Sequence, residues 1–213
     1  MQNNLNRGFL ITFEGGEGGG KTTQIPLLTK RLTDAGREVV TTREPGGTQI
    51  GEILRDIALN PKYKEMSDNA EVLLFQTMRA QLYSEIILPA LAAGKIVIMD
   101  RSRDSSVVYQ GMIRGFGEKF IEDLNDISTQ KTYPDLTLLL DVPFEIGLKR
   151  VLGERDLDRI EAQNGTFHQR VRQAYLKLAE AHPKRWVLID GQRSVDEVAE
   201  AVWEIVKQRL GKT

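Results

Sequence analysis

Phe9-Leu10-Ile11-Thr12-Phe13-Glu14-Gly15-Gly16-Glu17-Gly18-Gly19-Gly20-Lys21-Thr22 decides how the rest of the chain is read. Its first five residues form an almost continuous apolar run, as in a strand covered on both faces. Gly15 to Thr22 then fits G-x-x-x-x-G-K-[ST], and a stretch with helical spacing follows. In that context the glycines let successive backbone N–H groups turn inward around a phosphate, and the next helix adds the positive end of its dipole. Lys21 then falls to the β- and γ-phosphates of a nucleoside triphosphate and Thr22 to Mg²⁺. A glycine-rich turn without a ligand is the plainer alternative.

Working outward, four more short apolar runs read as strands: Val39 to Thr42, Ile96 to Met99, Leu136 to Leu140 and Trp186 to Ile189. Helical stretches separate them, the clearest being Ala70 to Ala92, with Val72, Phe75, Arg79, Leu82 and Ile86 on one stripe. Strand alternating with helix predicts a doubly wound α/β fold, a parallel five-stranded sheet with helices on both faces and right-handed crossovers. Pro26 falls in the first helix and predicts a mild kink or tight first turn. Three irregular loops, Glu14 to Thr23, Arg43 to Thr48 and Gly153 to Glu161, follow strands or join helices where such folds hold ligands.

With 213 residues, 40% of them hydrophobic, the chain suits one domain with one substantial core. A formal charge of −1 supplies no global field for nucleic acid or an acidic membrane, so bound phosphate must be held locally. Cysteine is absent and only His168 and His182 occur, which excludes disulfides, thiolate metal sites and multi-histidine zinc sites, and suits a reducing cytoplasm. Met1 to Arg7 is polar and no apolar run is long enough to span a membrane, so a soluble, unprocessed protein is expected.

Asp100 ends the apolar run Ile96-Val97-Ile98-Met99, which puts a carboxylate beside the phosphate loop, where it could hold Mg²⁺ directly or through water. Capping the next helix is its plainer role. Arg101 follows at the strand's carboxyl end, where its fork suits a phosphate, whereas Arg103 reads equally well as a surface salt bridge.

Phe13-Glu14-Gly15 into the loop, Thr42-Arg43-Glu44-Pro45-Gly46-Gly47-Thr48, Asp100-Arg101, Tyr109-Gln110-Gly111, Leu140-Asp141-Val142-Pro143 and Leu157-Asp158-Arg159-Ile160-Glu161 together resemble bacterial thymidylate kinases. The resemblance runs in order from about residue 8 to residue 205. It implies a P-loop NTPase fold, a single kinase domain over 1–213 with a short lid at about 150–161, and phosphorylation of dTMP to dTDP by ATP and Mg²⁺ for dTTP synthesis. It implies an ATP site of Gly15, Gly16, Glu17, Gly18, Gly19, Gly20, Lys21, Thr22 and Thr23, with Arg150 stacked over the adenine and Gln192 and Arg193 bordering it.

For the acceptor, the resemblance implies Phe75 stacking on the thymine and Arg79 at its edge; from the residues alone Phe75 reads as core and Arg79 as a solvated charge. Tyr109 would crowd the 2′ carbon and Gln110 would help read the base, although Gly111 would equally suit an ordinary helix end. Arg55 and Arg101 would hold the acceptor phosphate, supported by Arg43, and Glu17 would meet its 3′-hydroxyl. Because an acid occupies the loop at Glu17, the cation for the transferring phosphate would come from the lid, from Arg155 or Arg159. In this chain Leu152 precedes Gly153-Glu154 and the arginine follows, a departure at Arg155, whereas Asp158-Arg159-Ile160-Glu161 matches cleanly. A solvated helix face would explain the same mixed charge. A homodimer is also implied.

Two other classes stay open from the residues alone. One is a kinase or ligase with another acceptor, such as a deoxynucleoside kinase or a carboxylate-activating ligase. The other is a nucleotide switch, for which the guanine-reading N-K-x-D stretch is absent.

Overall fold

The computed structural model describes residues 7–151, 158–160 and 163–211. Five parallel strands, β1 (Phe9–Glu14), β2 (Val39–Arg43), β3 (Ile96–Asp100), β4 (Leu136–Asp141) and β5 (Trp186–Asp190), form one sheet in the order β2-β3-β1-β4-β5. Each observed strand starts at the residue the sequence predicts and ends one residue later. The extra residue is polar, Glu14, Arg43, Asp100, Asp141 or Asp190, and hydrophobicity alone could not claim it.

Side chains alternate between the two faces, so the sheet buries two apolar layers. Ile11, Phe13, Ile96, Ile98, Leu138 and Leu140 pack with Leu28 and Leu32 of α1 (Lys21–Asp34) and with α9 (Val195–Leu210). On the other face Leu10, Val97 and Met99 meet a long helical run, and Leu139 and Trp186 meet α8 (Gly165–Ala181). Full burial of each Leu or Ile contributes about 1.5–3 kcal/mol.

The predicted helix Ala70 to Ala92 is three pieces: α3 (Asp68–Leu82), a wide π turn at Tyr83–Ile87, and α4 (Leu88–Ala92). Pro89 explains the break, since it cannot donate to the preceding turn and its ring crowds the carbonyl four residues back. The Leu88 N–H accordingly reaches back to the Tyr83 carbonyl. A second π segment, Val107–Ile113, follows α5 (Arg103–Ser106) and carries Tyr109, Gln110 and Gly111, so Gly111 does not close a helix as its residue type suggested. Pro26 lies inside α1 as expected.

The remaining helices are α2 (Gln49–Leu59), α6 (Glu118–Ser128) and α7 (Phe144–Val151). Thr48, Ser67 and Ser194 cap α2, α3 and α9 with side-chain oxygens. By contrast, α1 starts at Gly20, which offers no side chain, and its first turn holds no acid. Among the described residues the N–H groups of that turn have no side-chain acceptor, which suits the positive end of the dipole to an anion.

Candidate active site

Register places the site. Phe13 pairs with Asp100, and Asp100 with Arg43, so the carboxyl ends of β1, β3 and β2 lie level. Their loops open on a cleft of about 1020 Å³ whose lining includes Glu17 to Thr23, Arg43, Arg55, Phe75, Asp100, Arg101, Tyr109, Gln110 and Arg150.

At one end the phosphate loop is folded tightly. Gly18 has φ +66°, and a Cβ there would stand 2.0 Å from the Gly147 carbonyl oxygen of α7. Lys21 donates its ammonium back to the carbonyls of Gly15 at 3.2 Å and Gly16 at 3.0 Å, which tie down the loop's start without themselves lining the cleft. Burial pushes the Lys21 ammonium below its usual range, with Arg101 adding to the effect and Asp100, Glu17 and Glu14 opposing it. Thr22, Thr23 and Asp100 line the cleft beside it. Asp100 does not cap the helix that follows, since Ser102 holds the cap position of α5.

Arg101 sits between the two ends. Its N–H continues the sheet to the Phe13 carbonyl at 2.9 Å, but its φ of 63° is left-handed, a conformation that costs a non-glycine residue about 1–2 kcal/mol. The turn aims the Ser102 N–H at Glu14 Oε1, 2.9 Å away. The guanidinium pairs with Glu17 and donates to the Gly15 carbonyl at 3.0 Å and the Tyr175 hydroxyl at 3.1 Å. Tyr175 and Ser105 both donate to Glu14 Oε2. Burial, then Asp104, pushes the Glu14 carboxyl up to about 7, against the pull of Arg101, Ser105 and Tyr175.

Beyond Arg101, Arg43 and Arg55 converge on the Pro45 carbonyl, at 2.9 and 2.7 Å. Glu52 of α2 holds both Arg43 and the Gly47 N–H. Tyr109 lies under Arg101, whose guanidinium carbon is 5.6 Å from the ring centre. Phe75 lines the cleft and is only partly buried, as a ring available to a ligand rather than a core residue would be.

Several expected site residues stand elsewhere. Arg79 is 1% exposed and does not line the cleft. It is one hydrogen bond behind it, paired with Glu44 and bonded to Ser106 and Asn125. A buried cation needs such acceptors, and Glu44 supplies a paired carboxyl, which burial pushes above its usual range against the pull of Arg79. The Arg159 guanidinium is bonded to the Ala58 carbonyl and Glu71, while its neighbours Asp158 and Ile160 line the cleft. Arg155 lies outside the described residues.

Arg150 reaches the carbonyls of Gly18 and Gly191, bridging the phosphate loop to the loop after β5. Gln192 and Arg193 follow in that loop but do not line the cleft; Gln192 is hydrogen-bonded to Asp190 and Arg193 forms a looser ion pair with it at 3.8 Å. Arg103 is fully buried against Glu122 and Asp126 with Tyr133 over it, not a surface pair.

Sequence reasoning missed Glu14, Glu44, Glu52, Glu71 and Tyr175 as organisers of the site. Glu14 and Glu44 sit within quoted motifs, so their position was a usable signal. Glu71 and Tyr175 carry no local pattern that marks them.

The family model for thymidylate kinase matches residues 13–202. The thymidylate kinase of Geotalea uraniireducens is 45% identical over 212 residues, covering 96% of this chain and 99% of its own. That of Latilactobacillus sakei subsp. sakei is 46% identical over 204 residues, covering 94% and 95%. The crystal structure of thymidylate kinase from Ehrlichia chaffeensis superposes with a TM-score of 0.78 at 32% identity, covering 94% of this chain and 99% of that one. This chain belongs to the thymidylate kinase family, ATP-dependent phosphotransferases that convert dTMP to dTDP for dTTP synthesis.

Proposed function

We propose that the cleft divides this reaction between its two ends, with the triphosphate on the loop Gly15 to Thr23 and the acceptor nucleotide between Arg101 and Gln110. The observation that carries this reading is the row Lys21, Arg101, Tyr109 and Gln110 along one continuous cleft. Lys21 is buried with its ammonium on two neutral carbonyls, and a bound triphosphate would supply a direct anionic partner. Arg101, held at its backbone and its guanidinium, faces the gap between donor and acceptor phosphates. Arg43 and Arg55 supply charge for the acceptor phosphate, whose oxygen is already ionised at neutral pH and needs no general base. Catalysis then rests on alignment and charge neutralisation.

Mg²⁺ belongs to this reading. Among the described residues no cluster of three or more His, Cys, Asp or Glu could form an all-protein metal cage. One hydroxyl, Thr22, and one carboxylate, Asp100, suit an ion that keeps most of its sphere as water and phosphate oxygen. When bound, it would neutralise charge on the transferring phosphate.

Within the same proposal the chain is one kinase domain of the cytoplasm that works as a homodimer and takes neither nucleic acid nor membrane as a partner. Ile50, Ile53 and Ile57, at helical spacing on α2, and Leu73 of α3 are all exposed. An apolar row of this kind suits a second copy of the chain related by a twofold axis. No helix among the described residues is long and apolar enough to cross a membrane.

The test is ADP release with ATP and Mg²⁺, comparing wild type with Lys21→Ala and Arg101→Ala across dTMP, dUMP, dCMP and thymidine. Turnover should be dominated by dTMP. Each variant should lose about 10²–10³ in kcat, as for removal of a transition-state donor. Near wild-type kcat in both variants would overturn the assignment of roles.

A further inference from the structure

Gln110 lines the cleft with one polar atom left over. Its side chain is almost fully buried, and its Nε2 donates to Glu71 Oε1 at 2.9 Å, but among the described residues its Oε1 has no partner. An amide can face either way, and what lies opposite decides which. Here a carboxylate decides it, because turning the amide over would set two oxygens against each other.

Glu71 is itself held in place. Its carboxylate accepts from Arg114 Nη2 at 3.1 Å and Arg159 Nη2 at 2.7 Å, besides Gln110. Burial alone would raise its pKa, but the Gln110, Arg114 and Arg159 contacts outweigh it and hold the group below the usual carboxylate range. It therefore stays an acceptor throughout the neutral range, and Gln110 must present nitrogen to it.

We infer that Glu71 is a positioning residue for base selection: by fixing the Gln110 amide it leaves an oxygen for the base, so the site favours a base that donates N–H at N3. The imide N3–H of thymine or uracil meets that demand. Cytosine, whose N3 is an acceptor, does not, and leaves the Gln110 oxygen buried and unpaired. The same carboxylate anchors Arg159, between the cleft-lining residues Asp158 and Ile160, so base selection and this lid segment share one support. The inference rests on the reading that the base lies against Gln110.

The experiment compares kcat/KM for dTMP and dCMP in the full chain and in Glu71→Gln, Glu71→Asp, Arg114→Gln and Gln110→Ala. Glu71→Gln lets the amide pair either way and Glu71→Asp withdraws the carboxylate. Both should lower the dTMP-to-dCMP ratio about tenfold or more, mainly through KM for dTMP. Arg114→Gln removes one of the two guanidinium contacts to Glu71 and leaves Arg159 to hold it, so the ratio should fall less than in either Glu71 variant. An unchanged ratio in both Glu71 variants would overturn the inference, however far stability or kcat falls. If instead Gln110→Ala leaves the dTMP KM unaltered, the base does not lie there and the underlying reading is what fails. Should neither Glu71 variant fold, NMR of the wild-type Gln110 side-chain amide decides: one slowly exchanging proton is required, and two fast ones overturn the inference.

Discussion

Arg79 and Glu44 form a two-pronged pair, Nε to Oε1 at 3.2 Å and Nη2 to Oε2 at 2.5 Å, with both side chains almost wholly removed from water. Glu44 belongs to the turn after β2 and Arg79 to α3, so the pair fastens the turn that carries Pro45 to the helix that carries Phe75. Removing one partner leaves a buried charge unmatched. Arg79→Ala should therefore cost about 3–5 kcal/mol and lower Tm by about 6–20 °C. The double variant Arg79→Met/Glu44→Gln should recover much of that loss. Calorimetry of the three proteins checks it, and a loss below about 1 kcal/mol in Arg79→Ala would contradict the buried pair.

Glu14 makes stability depend on pH. Its folded pKa of about 7 lies above the ordinary 4.5, so the native state holds this proton more tightly than the unfolded chain. The stability this provides is full below about pH 4.5 and is lost as pH rises through about 7. The whole loss is on the order of 3 kcal/mol. Urea unfolding of wild type between pH 5 and 8 should slope downward relative to Glu14→Gln. Parallel profiles would show that Glu14 is not the source.

Gly18→Ala places a methyl group against the Gly147 carbonyl on a left-handed backbone, which must lift the phosphate loop from α7. The KM for ATP should rise about tenfold or more while that for dTMP changes little. Gly36→Ala is the control, because its φ of +76° imposes the same strain in open space. It should cost about 1–2 kcal/mol of stability and leave the ATP KM unchanged. An equal response of the two variants in ATP KM would count against the contact.

Ile53, 60% exposed in the middle of the α2 row, reports on self-association. Sedimentation should find a dimer for wild type and a monomer for Ile53→Asp, since a buried unpaired carboxylate at an interface is costly. A monomeric wild type at micromolar concentration would remove the dimer from the proposal.

The sheet was legible because each strand is a compact apolar run and because the glycine-rich loop sits between β1 and α1, where physics requires it. The glycine-rich loop was legible for the same reason, as its residues lie in one continuous stretch. The residues expected around the acceptor came only by resemblance, and of these Arg79 and Arg159 have their guanidinium groups paired with Glu44 and Glu71. Spacing along a helix says which residues share a face, but not whether Glu44 or Glu71, distant in the chain, will claim a guanidinium first. Nor does hydrophobic periodicity separate an α-turn from a π-turn, which depends on where Pro89 or a tertiary contact breaks the ladder.

The π segment Val107–Ile113 sets the facing of Tyr109 and Gln110 by the number of residues in its turns. Bonds there reach five residues back rather than four. Deleting a single residue would draw the turn back toward α-helical winding and swing the following side chain by about 100°. On the proposed reading, base preference in this cleft would thus be partly written in chain length. A change in that count re-aims a reader without altering its chemistry, and no point substitution of Gln110 could reproduce the result.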